Sequence, residues 1–304
     1  MLDIHSDRAA GRPEREGQVI LRDGTPMSYG DAGTGPVVLA VHGWAASRIF
    51  FDGLSGRLSD GFRFMAPDLR AHGTTPAGQL PLSIETLADD LADLIETLDL
   101  SRIVLVGWSM GAMVAWSMID RHGPDRIAGL VVEDMTPRIL NDADWSLGMS
   151  SGMKAKDSAR AIDLMRADWS GYAATFAPRM FARDRRRDAA DMVAEATAEL
   201  SRRNGDAMAE IWGSMAAQDM RAALSGITLP VLVAHGARSE AYGPETSRYL
   251  ADTLPQADIE TFARSGHAPH LEQPEEFAHA VQTFARRVQA GAIHQQNIEG
   301  SISS

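Results

Sequence analysis

Cysteine is absent from all 304 residues. That absence excludes disulfides, thiolate nucleophiles and cysteine-built metal sites together, and leaves serine, histidine and carboxylates to carry any chemistry. Long apolar runs are missing too: none approaches the roughly 20 residues that a membrane helix needs. The opening residues, Met1-Leu2-Asp3-Ile4-His5-Ser6-Asp7-Arg8, have neither the basic start nor the apolar centre of a signal peptide. A soluble chain with a cytoplasmic address and no membrane partner is expected. Positive charge is in deficit, with 29 Lys and Arg against 41 Asp and Glu and a net charge of -12. Nucleic acid and anionic lipid both require clustered positive charge, so the expected partner is a neutral or apolar small molecule. Metal motifs are lacking as well: there is no H-E-x-x-H or H-x-H, and His267 and His270 straddle Pro269 instead of sharing a helix face. No metal or other cofactor is expected.

What the chain does have is ordinary globular composition, 44% apolar and 23% charged, in a regular order. Gln18 to Leu21 and Met27 to Asp31 flank Asp23-Gly24, a hairpin signal. Val37 to Val41, Phe62 to Ala66, Ile103 to Val106, Arg126 to Val132, Pro230 to Gly236 and Ala257 to Phe262 are short apolar runs of buried-strand type. Helical patterns alternate with them. The clearest is Ser83 to Leu98, with apolar residues at Ile84, Leu87, Leu91, Leu94 and Ile95 and Ser83 placed to cap it. Such alternation predicts an α/β fold with a mostly parallel, doubly wound sheet. Between Pro137 and Leu224 the pattern becomes helical throughout. The predicted layout is a flexible arm over 1–17, a core over 18–136 and 225–288, a helical insertion over 137–224 and a disordered tail over 289–304.

The run Val104 to Val106 feeds Gly107-Trp108-Ser109-Met110-Gly111 and then a helix. G-x-S-x-G recurs by chance, but between a strand and a helix it presents a serine hydroxyl at the carboxyl edge of a sheet, with the glycines allowing the bend. Serine needs a base to become nucleophilic, and that base needs an orienting group. His267 follows the last predicted strand beside Gly266 and is preferred to His270, whose approach Pro269 stiffens. The oxyanion donors expected are the backbone amides of Met110 and Trp44. Trp44 and Trp108 are read as substrate-binding side chains.

His42-Gly43-Trp44, Asp68-Leu69-Arg70-Ala71-His72-Gly73, Gly107 to Gly111 and Gly266-His267, in this order, resemble the α/β-hydrolase family over roughly 18–288. The resemblance implies a serine hydrolase whose insertion over 137–224 is a cap above the site. Ala71 departs from the family's D-x-x-G-x-G loop. The third triad member departs further, because Ser239 stands where an aspartate is usual. Two carboxylates remain open: Asp134, after the strand that follows the nucleophile helix, is favoured, and Glu240 is the alternative. Asp134 occupies the acid position of some cap-bearing relatives, such as certain haloalkane dehalogenases. Glu133 should point to the opposite face, and Glu240 could instead pair with an arginine. Arg183, Arg185, Arg186 and Arg187 read as a solvated face of the cap. A serine in the elbow argues against epoxide hydrolases and dehalogenases, which use aspartate there. The expected activity is hydrolysis of a carboxylic ester, thioester or lactone. Carbon-carbon hydrolysis of ring-fission products, cofactor-free perhydrolysis and a non-catalytic ligand receptor are the alternatives.

Overall fold

The computed structural model describes residues 15–302. Eight strands form one sheet: β1 (Arg15–Ile20), β2 (Pro26–Ala32), β3 (Val37–Val41), β4 (Arg63–Pro67), β5 (Ile103–Trp108), β6 (Ile127–Glu133), β7 (Val231–Gly236) and β8 (Ala257–Phe262). Their spatial order is β1-β2-β4-β3-β5-β6-β7-β8, with β1 and β2 antiparallel and every pair from β4 to β8 parallel. This is the mostly parallel α/β sheet expected. Every residue of β5 and β7 is buried, as strands covered on both faces must be. The edge strand β8 instead exposes its middle residues.

The helices are α1 (Asp52–Leu58), α2 (Ile84–Thr97), α3 (Met110–His122), α4 (Ala155–Ala167), α5 (Trp169–Phe176), α6 (Ala190–Ser201), α7 (Gly205–Ala217), α8 (Arg221–Leu224), α9 (Pro244–Thr253), α10 (Pro269–Glu272) and α11 (Pro274–Ile302). Ser83 caps α2 by accepting the Thr86 amide at 3.2 Å, and the apolar stripe from Ile84 to Ile95 is buried. The α2 and α3 helices pack together, as do α1 and α11, while α4 to α8 fall between β6 and β7.

Two boundaries differ from the sequence reading. The first strand begins at Arg15, within the stretch assigned to a loose arm, because Arg15 to Gly17 pair with Tyr29 to Asp31. Residues 1–14 and 303–304 lie outside the described residues. The last helix does not end near Val288 but runs to Ile302. That stretch is polar and contains glycine, the basis for expecting a tail, yet it holds no proline to break a helix.

Register brings the chemistry to one edge. Val41 lies opposite Gly107, Trp108 opposite Glu133, and Glu133 opposite Ala234. Hence the segments leaving β3, β5, β6 and β7 emerge side by side at the carboxyl ends of the strands.

Candidate active site

The bend that carries Ser109 lies in the serine itself. Ser109 has φ of 52°, a left-handed conformation that costs a residue with a Cβ about 1 to 2 kcal/mol. Its amide donates to the Glu133 carbonyl at 2.9 Å, and its carbonyl accepts the Ala112 amide at 2.8 Å, so the turn is held from both sides. Gly107 and Gly111 serve a different purpose from the bend expected of them. A Cβ at Gly107 would stand 2.6 Å from the Ala112 backbone, and one at Gly111 2.0 Å from the Val41 carbonyl oxygen. They let helix α3 cross close over β5 and β3. Because backbone cannot yield cheaply, Gly111→Ala is expected to cost about 3 kcal/mol or more in urea unfolding. Gly61→Ala, where an added Cβ meets nothing within 4 Å, serves as the near-neutral control.

His267 and Ser109 line the same pocket, and the His267 Nδ1 lies 2.6 Å from Asp134 Oδ2. Asp134 is buried, follows β6 and has φ of 46°. Burial would raise its carboxyl, but hydrogen bonds from His235 and His267 hold it below the ordinary aspartate range. His235 Nδ1 meets Oδ1 at 3.0 Å, and the Ser239 hydroxyl donates to Oδ2 at 2.6 Å. Ser239, at the position where an aspartate is usual, thus hydrogen-bonds the Asp134 carboxylate instead. Glu240 also lines the pocket, but its carboxylate pairs with Arg186 and not with His267. His270 is also turned away, with its Nδ1 2.8 Å from Glu133 on the opposite side of β6.

The loop after β3 lies against the serine. A Cβ at Gly43 would come within 3.3 Å of the Ser109 Cβ, so glycine there lets the Trp44 backbone approach the elbow. Two histidines brace this loop. His42 Nε2 accepts the Leu69 amide at 3.0 Å, and His72 Nε2 accepts the Ala45 amide at 3.1 Å. Burial pushes His42 down to about 4 and His72 well below its ordinary value, so both stay neutral and can accept. Asp68 accepts the amides of Arg48 and Thr74 at 2.9 and 3.0 Å. Ala71, in place of the usual glycine, adopts φ of 63° and keeps the turn at the expense of strain.

The pocket encloses a cavity of about 120 Å³. Trp44 stands at its wall, edge-on to Trp169, Tyr172, Phe176 and Trp212 at 5.1 to 6.2 Å, and its indole donates to the Met208 carbonyl at 3.0 Å. Trp108 also lines the pocket, but its indole donates to the His267 carbonyl at 2.8 Å, so this side chain fixes the histidine loop as well. Met149, Met153, Phe176, Met180, Trp212 and Met215 bring the insertion into the wall. The insertion is tied to both loops that flank Ser109. Ser47 donates to Glu199 at 2.8 Å, Arg203 to the Ala45 carbonyl at 3.2 Å, and the His267 amide to the Met180 carbonyl at 2.9 Å.

His235 and Glu272 carried no signal strong enough to be singled out from sequence. Register could have found the first, since Glu133 opposite Ala234 puts His235 beside Asp134. Glu272 accepts the Ala182 amide at 2.8 Å and the Gly266 amide at 2.5 Å, joining the insertion to the His267 loop. Burial pushes its carboxyl up to about 7, against those two bonds and the charge of Arg185. The folded protein therefore keeps a proton that the unfolded chain releases near pH 4.5, and this group's stabilising share falls as pH rises from there through 7. The unfolding free energy of wild type minus that of Glu272→Gln should drop by roughly 2 to 3 kcal/mol between pH 5 and 8. A difference that does not vary with pH would contradict this.

Among the described residues no group of His, Asp and Glu is arranged to hold a metal ion, and no helix is long and apolar enough to cross a membrane. Residues 37–280 match the model of the alpha/beta hydrolase family. The chain is 29% identical to a pimeloyl-[acyl-carrier protein] methyl ester esterase from Neisseria meningitidis, over 83% of this chain and 77% of that one. It resembles the structure of a thermophilic esterase from Thermogutta terrifontis with a TM-score of 0.79 and 28% identity, covering 90% of this chain and 99% of the other. The enol-lactonase from Burkholderia xenovorans LB400 shares the fold at a TM-score of 0.78 and 23% identity, covering 88% and 98%.

Proposed function

Because the chain belongs to the alpha/beta hydrolase family, we propose that it is a serine esterase, cleaving a carboxylic ester, thioester or lactone of a small, largely apolar molecule through an acyl-enzyme on Ser109. The observation that carries this reading is the 2.6 Å contact between His267 and buried Asp134 in the pocket that Ser109 lines. A histidine whose Nδ1 is engaged by a carboxylate offers its Nε2 as a base, and the carboxylate favours the imidazolium that forms. The curated esterase relative and the Thermogutta esterase support the choice of ester chemistry.

In the reaction so assigned, His267 takes the Ser109 proton as the hydroxyl oxygen bonds to the substrate carbonyl carbon. The carbonyl electrons move onto oxygen, where the amides of Trp44 and Met110 donate; Met110 opens helix α3, whose dipole adds to the stabilisation. The carbon-oxygen or carbon-sulfur bond to the leaving group then breaks, and His267 returns the proton to that group. Water repeats the sequence on the acyl-enzyme and frees Ser109. Trp44 and Trp108 bound the substrate, and residues 137–224 act as the cap that shields the acyl-enzyme. A panel of acyl esters, thioesters, lactones and ring-fission diketones tests the assignment. Turnover of the first three and none of the diketones is expected, whereas turnover of diketones alone would overturn it.

A further inference from the structure

We propose that the pocket selects esters whose acyl group ends in a carboxylate, and that Arg179, with the Tyr172 hydroxyl beside it, holds that end. The proposal deepens the esterase reading and rests on it. Met153, Phe176, Trp212 and Met215 give the lining that Ser109 shares with Arg179 its apolar side chains. Apart from His267, two charged side chains line the pocket, Glu240 and Arg179. The charge of Glu240 is answered by Arg186 from outside the lining. Arg179 is exposed at the pocket and has no ion pair or hydrogen bond among the described residues, so its guanidinium donors are free to exchange water for a ligand.

Tyr172 gives the site a second donor on a fixed frame. Its ring stacks with Trp169 and Phe176 at 6.1 and 6.4 Å and stands edge-on to Trp44 at 6.2 Å. Burial pushes its hydroxyl up and the charge of Arg179 draws it down, so the phenol is a neutral donor within electrostatic reach of the guanidinium. A net charge of -12 opposes entry of an anion, and a local cation reverses that field where the substrate must sit. The planar guanidinium fork matches a carboxylate, which makes arginine the fitting residue. The cavity of about 120 Å³ has room for on the order of four to six carbon atoms, so the substrate implied is a monoester of a short dicarboxylic acid.

Two measurements test this. In the first, kcat/KM is compared for the mono-4-nitrophenyl ester of adipic acid and for 4-nitrophenyl hexanoate. Wild type is expected to favour the adipate ester, and Arg179→Gln to reduce that ratio by about tenfold to a hundredfold, chiefly through KM, with Arg179→Lys restoring part of it. A ratio unmoved by Arg179→Gln would overturn the proposal. In the second, monomethyl adipate is titrated calorimetrically into Ser109→Ala and into Ser109→Ala with Arg179→Gln. Binding at least about tenfold weaker in the double variant, with a salt dependence that only the single variant shows, is expected. Equal binding would overturn the proposal. If neither ester were turned over, the esterase reading would fail while the titration still decided whether Arg179 binds the carboxylate.

Discussion

Ser109→Ala is expected to reduce ester turnover by about three to six orders of magnitude while leaving the fold in place. The loss is large because, in the proposed reaction, it is this hydroxyl, on the turn that follows β5, that forms the acyl bond. The remaining oxyanion donors and pocket would keep a trace of rate over water. The fold should persist because the bonds that hold the turn are backbone bonds, from the Ser109 amide to Glu133 and from the Ala112 amide to Ser109, and alanine keeps both. Alanine at φ of 52° pays the same steric cost as serine. Steady-state hydrolysis with a thermal-unfolding control checks this. Wild-type activity in a correctly folded Ser109→Ala would rule out a serine mechanism.

Asp134→Asn is expected to be nearly as damaging, at about three to four orders of magnitude in kcat. An amide facing the His267 Nδ1 turns that nitrogen into an acceptor, and the imidazole then presents the wrong tautomer to serine. Two further donors converge on Asp134, from His235 and Ser239, so its carboxylate is fixed as well as charged. An asparagine there also leaves buried donors facing each other, at a stability loss of about 1 to 3 kcal/mol, so activity must be normalised to folded protein. Glu240→Gln removes a partner of Arg186 and should lower turnover by less than about tenfold. A large loss confined to Glu240→Gln would transfer the acid role to Glu240.

Much of this site can be read from the chain because its parts sit where strands end. Short, β-branched apolar runs such as Val37 to Val41 and Ile103 to Val106 read as buried strands, and the residues after them fall on one edge. Alternation put Glu133 on the face opposite Asp134, and the structure has it there, engaged by His270. What one dimension hides is neighbourhood. Asp134 and Glu240 both follow strands, and only the register of β6, β7 and β8 brings Asp134 to the His267 loop and puts His235 beside it. The glycines of the elbow were read as hinges, but a hinge and a close approach look alike in sequence; the Val41 carbonyl beside Gly111 makes the difference. Glu272 was hidden for the same reason, since its partners, Ala182 and Gly266, come from a distant insertion and a loop.

Acyl transfer through Ser109 is tested most directly by trapping the intermediate. An activated 4-nitrophenyl ester is mixed with excess enzyme, quenched in acid within the first turnover, and the digest is mapped by mass spectrometry. One added acyl mass is expected on the peptide that carries Ser109, absent from Ser109→Ala. Full turnover with no adduct, or the same adduct in Ser109→Ala, would contradict it.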